Sequence, residues 1–427
     1  MIHSEKMLRV LYFAPRICVP ANTGSHLRNY HLCKELAKSA EVTFLTFANQ
    51  ETEADSAEII RNWGLHKVEI VPYQPAYTVG KLLQGLISKT PLPVLNYTHK
   101  TMADRLARLL EENDFDIVEM ESVQLANYLP LIQAARSRPL IIGGWHNVES
   151  ELMFRYGKHT TNPAKKFYAN LTAKRLGETE RRILAELDAH IAVSERDRQQ
   201  LMALNPQART FVIDNGVDTA FYSQAIDGAA RHGLHTAERN RLLFVGSMDY
   251  HANIDAVSYF ANEVWNSLYQ RNPAMRFTIV GRHPAAEVRA LAALPGVEVT
   301  GTVAHVRPFY QEAFASVVPL RVGSGSRLKI LESMAAGVPV ISTTLGAEGL
   351  EVREGENIFL ADEQEAIARR VLQLYFDTYL RREMAIAGQE LVRRRYDWSA
   401  IGSRLFDIYQ AVTRRAEAVQ EKAQGAW

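Results

Sequence analysis

Three charged side chains in the second half of the chain are spaced to handle an anion: Arg327, Lys329 and Glu332, just after Gly323-Ser324-Gly325-Ser326. A helix is expected over about 326–336, stopped by Gly337 and followed by a buried strand over 338–342. Positive charge in the first turn of a helix opposes the macrodipole and costs a few tenths to about 1 kcal/mol. A docked anion reverses that sign, because its oxygens accept from free first-turn amides while the guanidinium and ammonium neutralise its charge. Glu332, one turn on, is placed to accept from sugar hydroxyls, so the set reads as a site for a diphosphate and a ribose. The same spacing also fits an ordinary helix start with a Lys329–Glu332 pair three residues apart.

A second cluster lies in the first half, where a strand over 140–143 runs into Gly144-Trp145-His146-Asn147-Val148-Glu149. A histidine just past a strand's carboxyl end is positioned to meet a ligand, although a satisfied loop histidine looks the same in sequence. Glu119 and Glu121 close the preceding strand and are expected on opposite faces, one reaching the ligand crevice and the other capping or pairing. Gly24, at the entrance of the first helix after Pro20-Ala21-Asn22-Thr23, permits close backbone approach or serves as a plain turn glycine.

These residues need a scaffold of alternating strands and helices, and the apolar runs supply one. Strands are expected at 8–15, 41–47, 67–72, 115–121, 140–143, 189–193 and 210–213. After the turn cluster Asp214-Asn215-Gly216-Val217-Asp218 a second series follows at 242–245, 277–280, 297–300, 315–319, 338–342 and 357–360. Such alternation means parallel sheets covered on both faces. Glycines end several of these strands (Gly246, Gly281, Gly301), where backbone turns sharply or passes close to a ligand. A final helix is expected to be capped by Ser399, with Trp398, Ile401, Leu405, Ile408 and Val412 on its apolar side.

Composition narrows the chemistry. With 427 residues the chain has room for more than one core, and 49 basic against 48 acidic residues give a net charge of +1, which asks for no nucleic acid. Cys18 and Cys33 form neither a zinc pattern nor a disulfide framework, which suits a reducing cytoplasm. No apolar run reaches the roughly 18 residues of a membrane span, and the six residues before Met7 read as a lead-in or a misassigned start. The Gly-x-Gly-x-x-Gly, Walker, nucleophile-elbow and His-Glu-x-x-His patterns are missing, which disfavours dehydrogenase, NTPase, serine hydrolase and zincin chemistry. Residues 158–182 carry Lys158, Lys165, Lys166, Lys174, Arg175, Arg181 and Arg182 against Glu178 and Glu180, with Phe154, Tyr156, Phe167 and Tyr168 nearby. That run fits a solvated helix face, or one of the two signals that anchoring to an anionic membrane requires.

Taken together, the segments Leu243-Phe244-Val245-Gly246-Ser247-Met248-Asp249-Tyr250 with Asn253, Thr278-Ile279-Val280-Gly281, Thr300-Gly301-Thr302-Val303, Gly325-Ser326-Arg327-Leu328-Lys329-Ile330-Leu331-Glu332 and Gly337-Val338-Pro339-Val340 resemble the retaining glycosyltransferases of family 4. Val193-Ser194-Glu195 and Asp214-Asn215-Gly216-Val217-Asp218 resemble them too. The resemblance implies an α/β protein of GT-B fold, two Rossmann-like domains facing across a cleft. Residues 1–213 would hold the acceptor, 214–397 the nucleotide-sugar donor, and 398–427 would form a helix returning to the first domain. It implies transfer of a sugar from the donor to a lipid-linked or polysaccharide glycan with retention, in the manner of bacterial envelope-polysaccharide enzymes, in the cytoplasm or at the inner face of its membrane. It also implies no metal and no cofactor beyond the nucleotide-sugar substrate.

Residue by residue, the resemblance gives Glu332 the donor ribose, Arg327 and Lys329 the diphosphate, the Val303 region the base and His146 the transferred sugar. Gly24, Gly246, Ser247, Asn253, Arg282, Ser324, Gly325 and Leu328 complete the donor contacts it implies. There are two departures from the family pattern. Ser324 stands where a second glutamate is common, eight residues before Glu332, which leaves the sugar open. Ser247 to Asn253 also lacks the Arg and Lys often found there, so Arg327 and Lys329 carry the diphosphate charge. A GT-B-shaped nucleotide-sugar epimerase and a non-catalytic sugar-nucleotide-binding subunit are the alternative readings.

Overall fold

Strands that are apolar along their whole length need cover on both faces, and the computed structural model meets that demand with two all-parallel sheets. It describes residues 7–19, 24–49, 63–76, 78–223, 239–322 and 327–424. By their contacts, residues 1–214 with 401–427 make one unit and 215–400 the other.

The first unit is built on β1 (Leu8–Ala14), β2 (Ala40–Ala48), β3 (Lys67–Pro72), β4 (Ile117–Met120), β5 (Leu140–Trp145), β6 (Ala189–Ala192) and β7 (Thr210–Val212), in the spatial order β3-β2-β1-β4-β5-β6-β7. Order reverses between β1 and β4, the topological switch point at which open parallel sheets bind ligands. Helix α1 (Gly24–Leu36) follows β1, and α2 (Val79–Ile87) lies between β3 and β4. Between β5 and β6 come α3 (Glu149–His159) and α4 (Pro163–Glu186). Asn162 starts α4 by accepting from the amides of Ala164 and Lys165 at 3.0 and 3.1 Å, with Pro163 pre-set at the first helical position.

In the second unit β8 (Arg241–Val245), β9 (Arg276–Val280), β10 (Val297–Gly301), β11 (Ala313–Val318), β12 (Val340–Ser342) and β13 (Phe359–Leu360) lie in the order β10-β9-β8-β11-β12-β13. The switch point falls between β8 and β11. Helix α5 (His251–Tyr259) follows β8 and α6 (Leu328–Ala335) follows β11, so both helices begin beside the switch point.

The final helix α7 (Trp398–Gln424) is capped by Asp397 rather than Ser399: the Asp397 carboxylate accepts from the Ser399 amide at 2.9 Å and from the Thr219 amide at 3.2 Å. Burial would raise the Asp397 carboxyl, but these bonds outweigh it and hold the group below its usual range. Its buried face takes Tyr409 in place of Ile408, which is half-buried. From Ile401 onward α7 belongs to the first unit, where Gly402 lies so close that a Cβ on it would sit 2.3 Å from the Cβ of Glu35.

Candidate functional site

At the switch point of the second unit, β8 and β9 end in glycines because their backbones touch. A Cβ on Gly281 would lie 1.7 Å from the carbonyl oxygen of Gly246, and one on Gly246 would lie 2.8 Å from Asn253 Nδ2. The space kept free is occupied by the Asn253 amide, in the first turn of α5. It donates to the Ser247 carbonyl at 2.8 Å and accepts from Lys329 Nζ at 2.7 Å. Arg282 Nε donates to Ser247 Oγ at 3.1 Å, and Ser247 Oγ donates to Asp249 Oδ1 at 2.7 Å. Gly246, Ser247, Asn253, Arg282 and Lys329 are thus one connected set.

Lys329 is half-buried in the first turn of α6, its ammonium 5.2 Å from the centre of the Phe244 ring. Among the described residues no carboxylate lies within 4.0 Å of it, and Asn253 is neutral. Burial pushes Lys329 down to about 8, Glu332 partly offsetting the effect and Arg327 adding to it. Arg327 is the residue before α6 rather than part of its first turn, and its Nη2 lies 3.3 Å from Glu348 Oε2. Ser324 and Gly325, within 323–326, and the loop residues 20–23 lie outside the described residues.

Glu332 does not pair with Lys329. Its carboxyl is shielded by two tyrosines, accepting from Tyr222 and, at 3.5 Å, from Tyr310, whose rings meet edge to face at 5.7 Å. Burial pushes Glu332 up to about 7 against the pull of those hydroxyls and of Lys329. Val303 packs on the same small cluster of Leu243, Val280 and Tyr310. Leu328 packs on the unit's main core, which makes it a structural contact.

In the first unit His146 directly follows β5, and its Nε2 lies 2.7 Å from Glu121 Oε2. The expectation that Glu119 and Glu121 face opposite ways is overturned: both carboxyls are fully buried together at the end of β4, near enough for each to shift the other's titration. Positions two apart in an extended strand share a face, and the strand end delivers both carboxyls to one place. Burial and then Glu121 push Glu119 well up. Burial acts upward on Glu121 as well, but His146, Glu119 and Arg28 hold it at about 2. Room for this anion comes from Gly144, where a Cβ would meet Glu121 Oε1 at 2.5 Å. Arg28, buried one turn after exposed Gly24 on α1, donates to the carbonyls of Ile213 and Asp214 at 2.8 and 3.1 Å. The result is an imidazole clamped by a carboxylate at the sheet's switch-point end.

Residues 23–221 match the family model described as Glycosyltransferase Family 4, and residues 239–377 match the one described as Glycosyl transferases group 1. The chain belongs to the family 4 glycosyltransferases. Among curated relatives of this glycosyltransferase-family chain, phosphatidyl-myo-inositol mannosyltransferase of Mycobacterium tuberculosis is 29% identical over 247 residues, 54% of this chain and 61% of the relative. D-inositol 3-phosphate glycosyltransferase of Acidothermus cellulolyticus is 28% identical over 272 residues, 58% and 60% of the two chains. The chain therefore spans about three-fifths of the length of the curated relatives it matches. Among solved structures, Anabaena HepE in complex with UDP and glucose superposes with a TM-score of 0.61 at 15% identity, over 94% of this chain and 99% of that one, which shows the GT-B fold.

Three members of this family 4 constellation escape sequence reasoning: Tyr222, Tyr310 and Arg28. The tyrosines stand 110 and 22 residues from Glu332, and no spacing rule links them to it. Arg28 had a faint signal, a cation on the inward side of a helix at a sheet's switch point.

Proposed function

We propose that the chain transfers a sugar from a nucleotide-sugar to a glycan or lipid-linked acceptor, with retention at the anomeric carbon. The observation that carries this reading is Lys329: a half-buried cation at a helix start, held by a neutral amide, with Arg327 beside it. A diphosphate leaving group is the partner such a site lacks, and its developing charge in the transition state is what fixed cations stabilise best. Residues 214–397 take the donor in this reading. Residues 1–213 with the terminal helix 398–427 take the acceptor, His146 meeting the transferred sugar and Glu121 fixing its ring. Glu332 accepts from the ribose, and the cations make a metal unnecessary.

Retention is supported by family membership. A UDP-linked donor is the first to test because HepE binds UDP, and a lipid-borne acceptor is supported by the name of the mycobacterial relative. No described helix is long and apolar enough to cross a membrane. Segment 158–182 is the part of the chain that would rest on the cytoplasmic face of an anionic membrane carrying such an acceptor.

The test is incubation with UDP- and GDP-sugars, with and without a lipid extract, with EDTA present. Nucleotide release that depends on acceptor and gives a product of unchanged anomeric configuration is the expected result. An altered donor sugar without acceptor would mean an epimerase, and binding without turnover a non-catalytic subunit. An inverted product would remove the retaining assignment.

The pH dependence has a definite sign. Diphosphate binding needs Lys329 charged and ribose binding needs Glu332 ionised, so kcat/KM for the donor is expected to rise through about pH 7 and fall above about pH 8. Each limb has a slope of about tenfold per pH unit, and Glu332→Gln should flatten the acid limb alone. A flat wild-type profile over this range would rule out these roles.

A further inference from the structure

Helix α2 buries its glycine and shows its apolar side. Gly85 faces α4, where a Cβ would meet the Tyr168 hydroxyl at 3.0 Å, while Leu83 is 55% and Ile87 87% exposed. At 3.6 residues per turn these two lie opposite Gly85, with exposed Leu86 beside them. An amphipathic helix docked on a protein ordinarily does the reverse. The orientation is enforced by Arg175 on α4, whose guanidinium donates to the carbonyls of Gly85 and Leu86 near the carboxyl end of α2.

The other flank of α4 meets α3. A Cβ on Gly157 would lie 2.6 Å from Asn170 Oδ1, so the helices touch there. Going round α4 at about 100° per residue, Ala169 points into the core, Asn170 to α3, and Tyr168 and Arg175 to α2. Phe167, 65% exposed, and Lys174, seven residues on, therefore point outward between the two neighbours. Phe154 on α3 is also exposed, with Lys158 Nζ 4.5 Å above its ring. One face of the first unit thus carries Leu83, Leu86, Ile87, Phe154 and Phe167.

The charge around these side chains is predominantly positive, although Lys100 pairs with Asp104, Arg155 pairs with Glu151, and exposed Glu178 stands one turn after Lys174 on α4. Residues 70–103 hold Lys81, Lys89 and Lys100 and no acid; residues 152–177 hold Arg155, Lys158, Lys165, Lys166, Lys174 and Arg175 and no acid. Glu180, which sequence sets against this run, is buried and accepts from the Ser150 amide at 3.1 Å. An apolar face rimmed by lysines complements an anionic interface with an apolar interior.

We propose that α2, with the outward sides of α3 and α4, is a docking surface for an anionic lipid bilayer, Leu83, Leu86 and Ile87 entering the acyl boundary and the lysines meeting headgroups. This rests on the peripheral-membrane part of the proposed function and gives it the second signal that stable anchoring needs, apolar insertion beside a basic patch.

The test is flotation of the full chain with vesicles of phosphatidylcholine alone or mixed with phosphatidylglycerol. Binding is expected to the mixed vesicles, weakening toward about 1 M salt, where the screening length is about 3 Å. Leu83→Ser with Ile87→Ser should lower partitioning about a hundredfold. Lys165→Gln, Lys166→Gln and Lys174→Gln should each lower it about fivefold. All five positions are exposed, so thermal unfolding should not change. Three results would overturn the proposal: no binding to mixed vesicles, binding indifferent to the serine variant, or a wild-type dimer that the serine variant separates. Nucleotide-induced thermal shift, measured without vesicles, keeps the two readings apart. Its presence without vesicle binding removes this surface only, and its absence with vesicle binding removes the transferase reading only.

Discussion

Replacing Arg327 and Lys329 together by alanine is expected to lower kcat/KM for the nucleotide-sugar about a thousandfold or more, roughly 4 kcal/mol of transition-state stabilisation. In the proposed reading the two cations act on one diphosphate, so their losses need not add, and each single variant should already show most of the effect. Lys329→Met separates charge from packing: it keeps an apolar stem against Phe244 and gives up the bond to Asn253 Oδ1. Its loss of donor affinity should approach that of Lys329→Ala. Arg327 is buried and only its partner Glu348 is about half exposed, so thermal unfolding of the variants is read beside activity to separate a folding loss from loss of the anion site. Unchanged donor affinity in the double variant, read by nucleotide-induced thermal shift, would sink the anion-site argument.

The largest effect on folding is expected at Gly281. An alanine methyl there would have to occupy a point 1.7 Å from the Gly246 carbonyl oxygen, and the obstacle is backbone that cannot swing aside. Gly281→Ala should destabilise the second unit by about 3 kcal/mol or more, a fall of about 10 °C in the unfolding midpoint. Gly301→Ala is the comparison. Gly301 also ends a strand, but nothing stands within 4 Å of its added Cβ and only its φ of +70° resists substitution. That strain is worth about 1 to 2 kcal/mol. Equal losses at the two sites, measured by thermal or denaturant unfolding, would contradict the steric account.

Much of this arrangement is legible in sequence. Buried parallel strands announce themselves as continuous apolar runs, and strand-end glycines mark the switch-point crowding. Arg327 and Lys329 stand out because cations at a helix start contradict the helix dipole. What is hidden depends on topology or on competition between neighbours. Tyr222 and Tyr310 reach Glu332 from separate segments of the second unit that no local pattern ties to α6. Ser399 and Asp397 both suit a cap, and the charged acceptor two residues earlier takes it. The juxtaposition of Glu119 with Glu121 follows from the period-two rule, and in the folded chain the two are buried together instead of dividing between faces.

The first unit is assembled from two pieces of chain, with roughly 190 residues of the other unit between them. On a ribosome adding about 5 to 20 residues per second, that interval lasts on the order of 10 to 40 s. For all of it residues 401–424 of α7 are not yet made and nothing covers Glu35, while the second unit gains the residues of its own sheet, the last of them at Leu360. Helix α7 from Ile401 onward is therefore made after every strand of the second unit, although it packs in the first.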